Sequence, residues 1–230
     1  MKTGIIIQAR LGSTRLPGKV MMDLGGKPVL QRVIERAKCV SGVDTIVLAT
    51  TFKPEDMALC DLATALDIPY YRGSVDNVLD RYFNAAALFQ LDTICRVTAD
   101  CPLLDPDVSS LVLDTFKHGH WDYVSNVHPP TYPDGLDFEV FSWDVLNTIR
   151  SSASKPYELE HVTPAVWQRP STFSLQNVWA DADYSENRWT VDTLDDLVWV
   201  QTVYDQLGST FQWKDVLSVS PHTLPRVIRL

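Results

Sequence analysis

The sequence predicts an α/β fold, with a mostly parallel central sheet flanked by helices, on three observations. Strand-like and helix-like segments alternate along the chain. The early strand-like runs Gly4-Ile5-Ile6-Ile7 and Thr45-Ile46-Val47-Leu48-Ala49 are continuously apolar, the mark of strands covered on both faces. Directly after the first run, Arg10, Arg15, Lys19, Gly12 and Gly18 crowd one loop of a chain whose formal net charge is −9. A positive loop at the carboxyl end of a first strand is where an α/β protein holds a polyphosphate.

The elements follow in order. Gly4 to Ile7 opens the sheet. Pro28 stands where a first helical residue belongs, and Val29, Leu30, Val33, Ile34, Ala37 and Val40 recur behind it at helical spacing. Thr45 to Ala49 reads as a second buried strand, and Pro54 starts a helix striped by Met57, Leu59, Leu62, Ala63 and Leu66. Ile68-Pro69-Tyr70-Tyr71 reads as a short edge strand, because proline cannot donate to a ladder. Val78, Leu79, Tyr82, Phe83, Ala86 and Phe89 predict a helix, Thr93 to Val97 a strand, and Val108, Leu111, Val112 and Phe116 another helix. A proline-rich loop, His128 to Gly135, precedes the alternating strand Leu136-Asp137-Phe138-Glu139-Val140-Phe141. Beyond it the pattern predicts a helix from Tyr157 to Trp167, a strand from Phe173 to Val178 and a last long helix. Thr193 and Asp196 give that helix capping-box spacing, and Gly208 ends it.

At 230 residues, with no linker-like composition shift, repeat or low-complexity segment, the chain reads as one domain over 1–230. The acidic balance excludes bulk neutralisation of a nucleic acid or an anionic membrane, so an anionic ligand has to be met by a local cluster. No stretch reaches the roughly 18 apolar residues of a membrane span, and Gln8 and Arg10 interrupt the amino terminus too early for a signal peptide. Cys39, Cys60, Cys95 and Cys101 form no CxxC pair and read as small apolar residues of a reducing cytoplasm.

Four groups of residues could carry chemistry. The first loop is not a Walker A loop, since five residues separate Gly12 from Gly18 and Val20 replaces the magnesium-ligating hydroxyl. Gly12, Ser13 and Thr14 offer amides and hydroxyls to phosphate oxygens, while Arg15 and Lys19 supply charge. Asp100, in Thr98-Ala99-Asp100-Cys101-Pro102, ends an apolar strand at the same sheet edge and suits a magnesium ion, whereas Asp105 is better placed to cap a helix. Asp192, after Trp189-Thr190-Val191, is either a second ligand or a residue flanking the cap Thr193. Two converging carboxylates repel unless a cation lies between them. The last group is Asp134, Asp137 and Glu139 with Glu158, Glu160 and His161. Asp137 and Glu139 share a strand face and could read hydroxyl groups of a polar acceptor, and His161 is either a structural histidine or a functional one.

These pieces, in this order, resemble the nucleotide-sugar cytidylyltransferases, the group of the CMP-Kdo and CMP-sialic acid synthetases. The residues that carry the resemblance are Ala9-Arg10-Leu11-Gly12-Ser13-Thr14-Arg15-Leu16-Pro17-Gly18-Lys19, Gly26-Lys27-Pro28, Asp100 with Pro102, and Val191-Asp192-Thr193. Within the group the chain is most similar to the branch of spore-coat polysaccharide biosynthesis protein F. That likeness rests on Arg72-Gly73-Ser74, Asn77 to Tyr82, Tyr132-Pro133-Asp134-Gly135-Leu136-Asp137, Glu160-His161-Val162-Thr163-Pro164 and Arg188-Trp189-Thr190-Val191-Asp192. Only the tail after Gly208 carries no motif of the group.

The resemblance implies a Rossmann-like nucleotide-diphospho-sugar transferase fold, CTP as donor and Mg2+ as cofactor. It implies a cytoplasmic enzyme of surface polysaccharide or glycan biosynthesis that acts on small molecules; many members are homodimers. By the family pattern Arg10, Arg15 and Lys19 hold the triphosphate, and Ala9, Leu11, Gly12, Ser13, Thr50, Asn77 and Asp100 complete a nucleotide site. Asp100 and Asp192 match the metal-binding aspartates, so Arg15, Lys19, Asp100 and Asp192 form the implied catalytic set. Asp134, Asp137, Glu139, Glu160, His161 and Arg188 are left for the acceptor. Asp76 to Arg81 differs from the Ser-Gly-Thr-Glu-Arg pattern of the CMP-Kdo branch, which leaves the acceptor open. The rival readings are a glycosyltransferase of the related fold and a non-catalytic nucleotide-binding protein. The lack of Asp-x-Asp at Asp100 weighs against the first, and the joint presence of Arg15, Lys19, Asp100 and Asp192 against the second.

Overall fold

The computed structural model describes residues 1–219. Seven strands form one sheet in the order β3-β2-β1-β4-β6-β5-β7. They are β1 (Thr3–Gln8), β2 (Thr45–Thr51), β3 (Tyr70–Gly73), β4 (Thr93–Thr98), β5 (Tyr123–Ser125), β6 (Glu139–Ser142) and β7 (Leu175–Asn177). The helices are α1 (Val29–Ala37), α2 (Met57–Ala65), α3 (Val78–Phe89), α4 (Pro106–His118), α5 (Trp143–Ser152), α6 (Pro156–His161), α7 (Pro164–Trp167), α8 (Leu194–Leu207) and α9 (Trp213–Val216). Short 3-10 helices cover Lys19–Met21 and Pro54–Asp56.

The sheet is parallel except at β6, which runs antiparallel to both β4 and β5. Strand β1 is central and pairs in parallel with β2 and β4, so its apolar run is covered on both faces. Ile5 and Ile7 pack on the side of α1, α2, α4 and α8, while Ile6 joins Leu79, Tyr82, Leu146 and Val166 of α3, α5 and α7 on the other. In the β1–β4 register Gln8 faces Thr98, so the loops that follow these strands leave the same sheet edge. Because the chain order reverses on either side of β1, a crevice opens there.

Most expected elements are present, and β3 is indeed an edge strand. The last helix has the expected capping box, with the Thr193 hydroxyl accepting from the Asp196 amide and the Asp196 carboxylate from the Thr193 amide, and it ends at Gly208. Asp105 caps α4 by accepting from the amides of Asp107 and Val108.

Other expectations need correction. Pro28 is the residue before the first helix rather than its first member. The segment from Tyr157 to Trp167 is two short helices, broken where Val162 takes φ 68° and ψ −71° and the Thr163 amide donates to the His161 carbonyl at 2.8 Å. The strand expected from Leu136 to Phe141 begins only at Glu139 and runs to Ser142, so Asp137 and Glu139 do not share a strand face. Leu136, Phe138, Glu139, Val140 and Phe141 are all buried, so the alternation does not divide a wet face from a dry one. Strand β5 and helices α5 and α9 were not foreseen. All four cysteines are free thiols. No helix among the described residues is long and apolar enough to cross a membrane.

Candidate active site

The loop after β1 is held in place from three directions. The Leu11 carbonyl accepts from the amides of Ser13 and Gly18 at 2.8 and 3.0 Å. The Leu11 amide donates to the buried Asp56 carboxylate at 2.8 Å, and Asp56 is fixed in turn by the Thr51 hydroxyl at the end of β2. Gly18 adopts φ 71°, a conformation that favours glycine, and starts the 3-10 turn that carries Lys19 inward.

Lys19 is only 8% exposed. Its Nζ donates to Asp100 Oδ2 at 2.8 Å and to Asp192 Oδ1 at 2.7 Å. Arg15 reaches the same Asp192 oxygen at 3.0 Å. Burial works against the ammonium charge, but Asp100, and then Asp192, outweigh it and raise the Lys19 pKa above its ordinary value. The cation that two converging aspartates require is therefore supplied from within the chain.

The loops that carry the aspartates are joined by backbone, since the Val191 amide donates to the Asp100 carbonyl at 2.8 Å. Asp196 supports the second loop: one carboxylate oxygen accepts from the amides of Asp192 and Thr193, and the other pairs with buried Arg188. The segment Asn187–Trp189 lies along Asp134, whose carbonyl accepts from the Trp189 amide at 2.7 Å. Gly135 makes this approach feasible, because a Cβ there would lie 2.9 Å from the Trp189 carbonyl carbon.

These groups line a cleft of about 470 Å³. Of the expected site residues, Ala9, Arg10, Gly12, Ser13, Arg15, Lys19, Asp100, Glu160, His161 and Asp192 face it. Arg10 lies 3.7 Å from Glu160 across its mouth. The others stand elsewhere. Leu11 belongs to the same loop but anchors it, Thr50 is buried inside β2, and Asn77 caps α3 by accepting from the Asp80 amide. Asp134, Asp137, Glu139 and Arg188 do not line the cleft. Glu139 is a buried partner of Arg96, its cross-strand neighbour, and of the Tyr123 hydroxyl.

The cleft also holds Gln8, Arg81, Arg96 and Thr98, which lie in stretches that the sequence singles out but to which it gives no role of their own. Gln8 Oε1, Arg81 Nε and Arg96 Nε are buried and have no hydrogen-bond partner among the described residues, which is uncommon for buried polar atoms. Burial chiefly, and the like charge of Arg10, pull the Arg81 guanidinium down to about 10. The signal was present in the chain: a cation inside the apolar strand Thr93–Thr98, and another in the apolar face of α3, require a local reason.

The donor set suits magnesium. Among the described residues no group of three or more His, Cys, Asp or Glu could hold a metal alone, but Asp100 and Asp192 already grip an ammonium ion between them. Two carboxylates completed by phosphate oxygens are the environment this ion prefers.

A family model described as Cytidylyltransferase matches residues 4–212. The spore coat polysaccharide biosynthesis protein SpsF of Bacillus subtilis is 32% identical over 214 residues, which cover 88% of this chain and 86% of SpsF. A 3-deoxy-manno-octulosonate cytidylyltransferase of Oleidesulfovibrio alaskensis is 36% identical over 116 residues, 48% of this chain and 45% of that enzyme. A solved cytidylyltransferase structure from Leptospira borgpetersenii serovar Hardjo-bovis superimposes with a TM-score of 0.91 at 32% identity, covering 95% of this chain and 93% of the other. With a Rossmann-like sheet, a cationic loop facing paired aspartates and these relatives, the chain belongs to the cytidylyltransferases, a family of nucleotidyltransferases.

Proposed function

We propose that the protein transfers CMP from CTP to an oxygen of a sugar acid or a similar polar acceptor and releases pyrophosphate, in surface polysaccharide or glycan biosynthesis. The observation that carries this reading is the convergence of Lys19 and Arg15 on Asp100 and Asp192 at the crevice beside β1. In the reaction the acceptor oxygen attacks the α-phosphorus, a new O–P bond forms, and the bond to the β-phosphate oxygen breaks. The acceptor proton passes to solvent and pyrophosphate carries away the electron pair.

The chain's own part is positioning and charge. Arg10, Arg15 and Lys19, with the loop from Ala9 to Ser13, bind the triphosphate, which is charge-complementary to them. Asp100 and Asp192 would hold Mg2+, which when bound supplies positive charge to the phosphates. Arg81, Arg96, Gln8 and His161 line the remaining cleft and offer guanidinium, amide and imidazole groups to the acceptor. The test is pyrophosphate release from each of the four nucleoside triphosphates with magnesium and either 3-deoxy-manno-octulosonate or N-acetylneuraminate. Release specific to CTP is expected. Equal use of other triphosphates would overturn the donor, and no release with either acid would exclude these two sugar acids as the acceptor.

A further inference from the structure

We propose that Lys19 closes the divalent-cation position of this site until a triphosphate arrives, so that the metal enters with the nucleotide rather than as a free ion. The inference rests on the reading of Asp100 and Asp192 as the metal ligands, and it concerns how that site is loaded.

Lys19 Nζ is at hydrogen-bond distance from one oxygen of each aspartate. A magnesium ion ligated by those two oxygens, at about 2.1 Å from each, would occupy the same space. Ammonium and metal are therefore alternatives. The lysine is also built into the site rather than lying across it. Its amide donates to the Leu16 carbonyl at 3.2 Å, it opens the 3-10 turn after Gly18, and its side chain is buried.

Charge acts in the same direction as space. Lys19 and Arg15 already balance the two carboxylates, Arg10 faces Glu160 and Arg96 pairs with Glu139, and Arg81 adds a further cation to the same cleft. A bare divalent cation would bring uncompensated positive charge and would strand the Lys19 ammonium. A triphosphate reverses both terms, because its oxygens are alternative acceptors for Lys19 and Arg15. The two side chains pass from carboxylate to phosphate as the aspartates pass from ammonium to metal, and every charge keeps a partner.

The experiment is a nucleotide-free titration with Mn2+, followed by loss of the free-ion electron paramagnetic resonance signal, on the parent, Lys19→Met and Lys19→Gln. Circular dichroism checks that each variant is folded. The parent is expected to bind no Mn2+ saturably up to about 1 mM, and both variants to bind at least about tenfold more tightly. Adding Asp192→Asn to Lys19→Met should remove that gain. Saturable binding to the nucleotide-free parent overturns the proposal without reference to any variant, and so does a folded Lys19→Met with no gain. A last arm adds CTP and Mn2+ to the parent. If no protein-bound metal appears although the variants gained it, the CTP reading fails while the exclusion by Lys19 stands.

Discussion

The two ends of the cleft are built on opposite principles. At the end formed by the first loop, Lys19, Arg15, Asp100 and Asp192 satisfy one another, and Asp56 and Asp196 hold the loops beneath them. At the other end Gln8, Arg81 and Arg96 each keep a buried polar atom without a hydrogen-bond partner among the described residues. The first end is ordered by its own charges and has to exchange partners when a ligand binds. The second has hydrogen-bonding capacity unspent. Removing a residue from the first end should therefore cost stability as well as activity, whereas removing Gln8 or Arg81 from the second should cost mainly activity.

The largest effect expected is on turnover. Asp100→Asn should lower CTP-dependent pyrophosphate release by at least about a hundredfold while circular dichroism stays native, and turnover within a few-fold of the parent would end its assignment. Lys19→Met tests the contrast directly. It removes the ammonium that joins Asp100 to the buried Asp192 and should lower the unfolding free energy by about 3 kcal/mol in urea titrations. Arg81→Met should change it by less than about 1 kcal/mol, because the arginine has no carboxylate partner to strand among the described residues. Equal losses in the two variants would remove the distinction.

Glu139 sharpens the comparison from beneath the floor. Burial opposes its charge, but Arg96, followed by Thr163, Tyr123 and His128, holds its pKa below the ordinary carboxylate value. The ionised form thus favours the folded chain, and this stability is present above the ordinary carboxylate range and lost as pH falls through the folded value. Glu139→Gln should flatten the acid limb of Tm against pH, and an unchanged limb would show that the pair is not coupled to folding. A small effect, on stability, is expected of Gly18→Ala. No neighbour lies within 4 Å of an added Cβ, so only the backbone conformation is strained, at about 1 kcal/mol. A drop in Tm of a few degrees checks it.

Legibility in the sequence followed the same division. The parallel half was readable because β1 and β2 carry continuous apolar runs, β4 is apolar at its centre but for Arg96, and the last helix carries a clear cap at Thr193 and Asp196. The antiparallel half was not. Strand β5 has three residues, too few for a period, and α5 buries only Val145, Leu146 and Ile149 among polar neighbours. The break at Val162 sits in a helical pattern and shows only in the backbone. In the site, the basic loop and both aspartates could be picked out because their residue types contradict their surroundings. Sequence alone could not show that Lys19 reaches between the aspartates, nor that Glu139 faces Arg96 across two strands rather than the cleft.

The bond from the Val191 amide to the Asp100 carbonyl has one more consequence. It makes the spacing of the two carboxylates a property of the main chain, a fixed gauge that side-chain exchange on either loop leaves untouched. Acceptors of different size have to be accommodated elsewhere. The opposite wall, where Glu160 and His161 end a short helix and Val162 turns through a positive φ, is joined to the first loop by the Arg10–Glu160 pair and, among the described residues, by no such backbone bond.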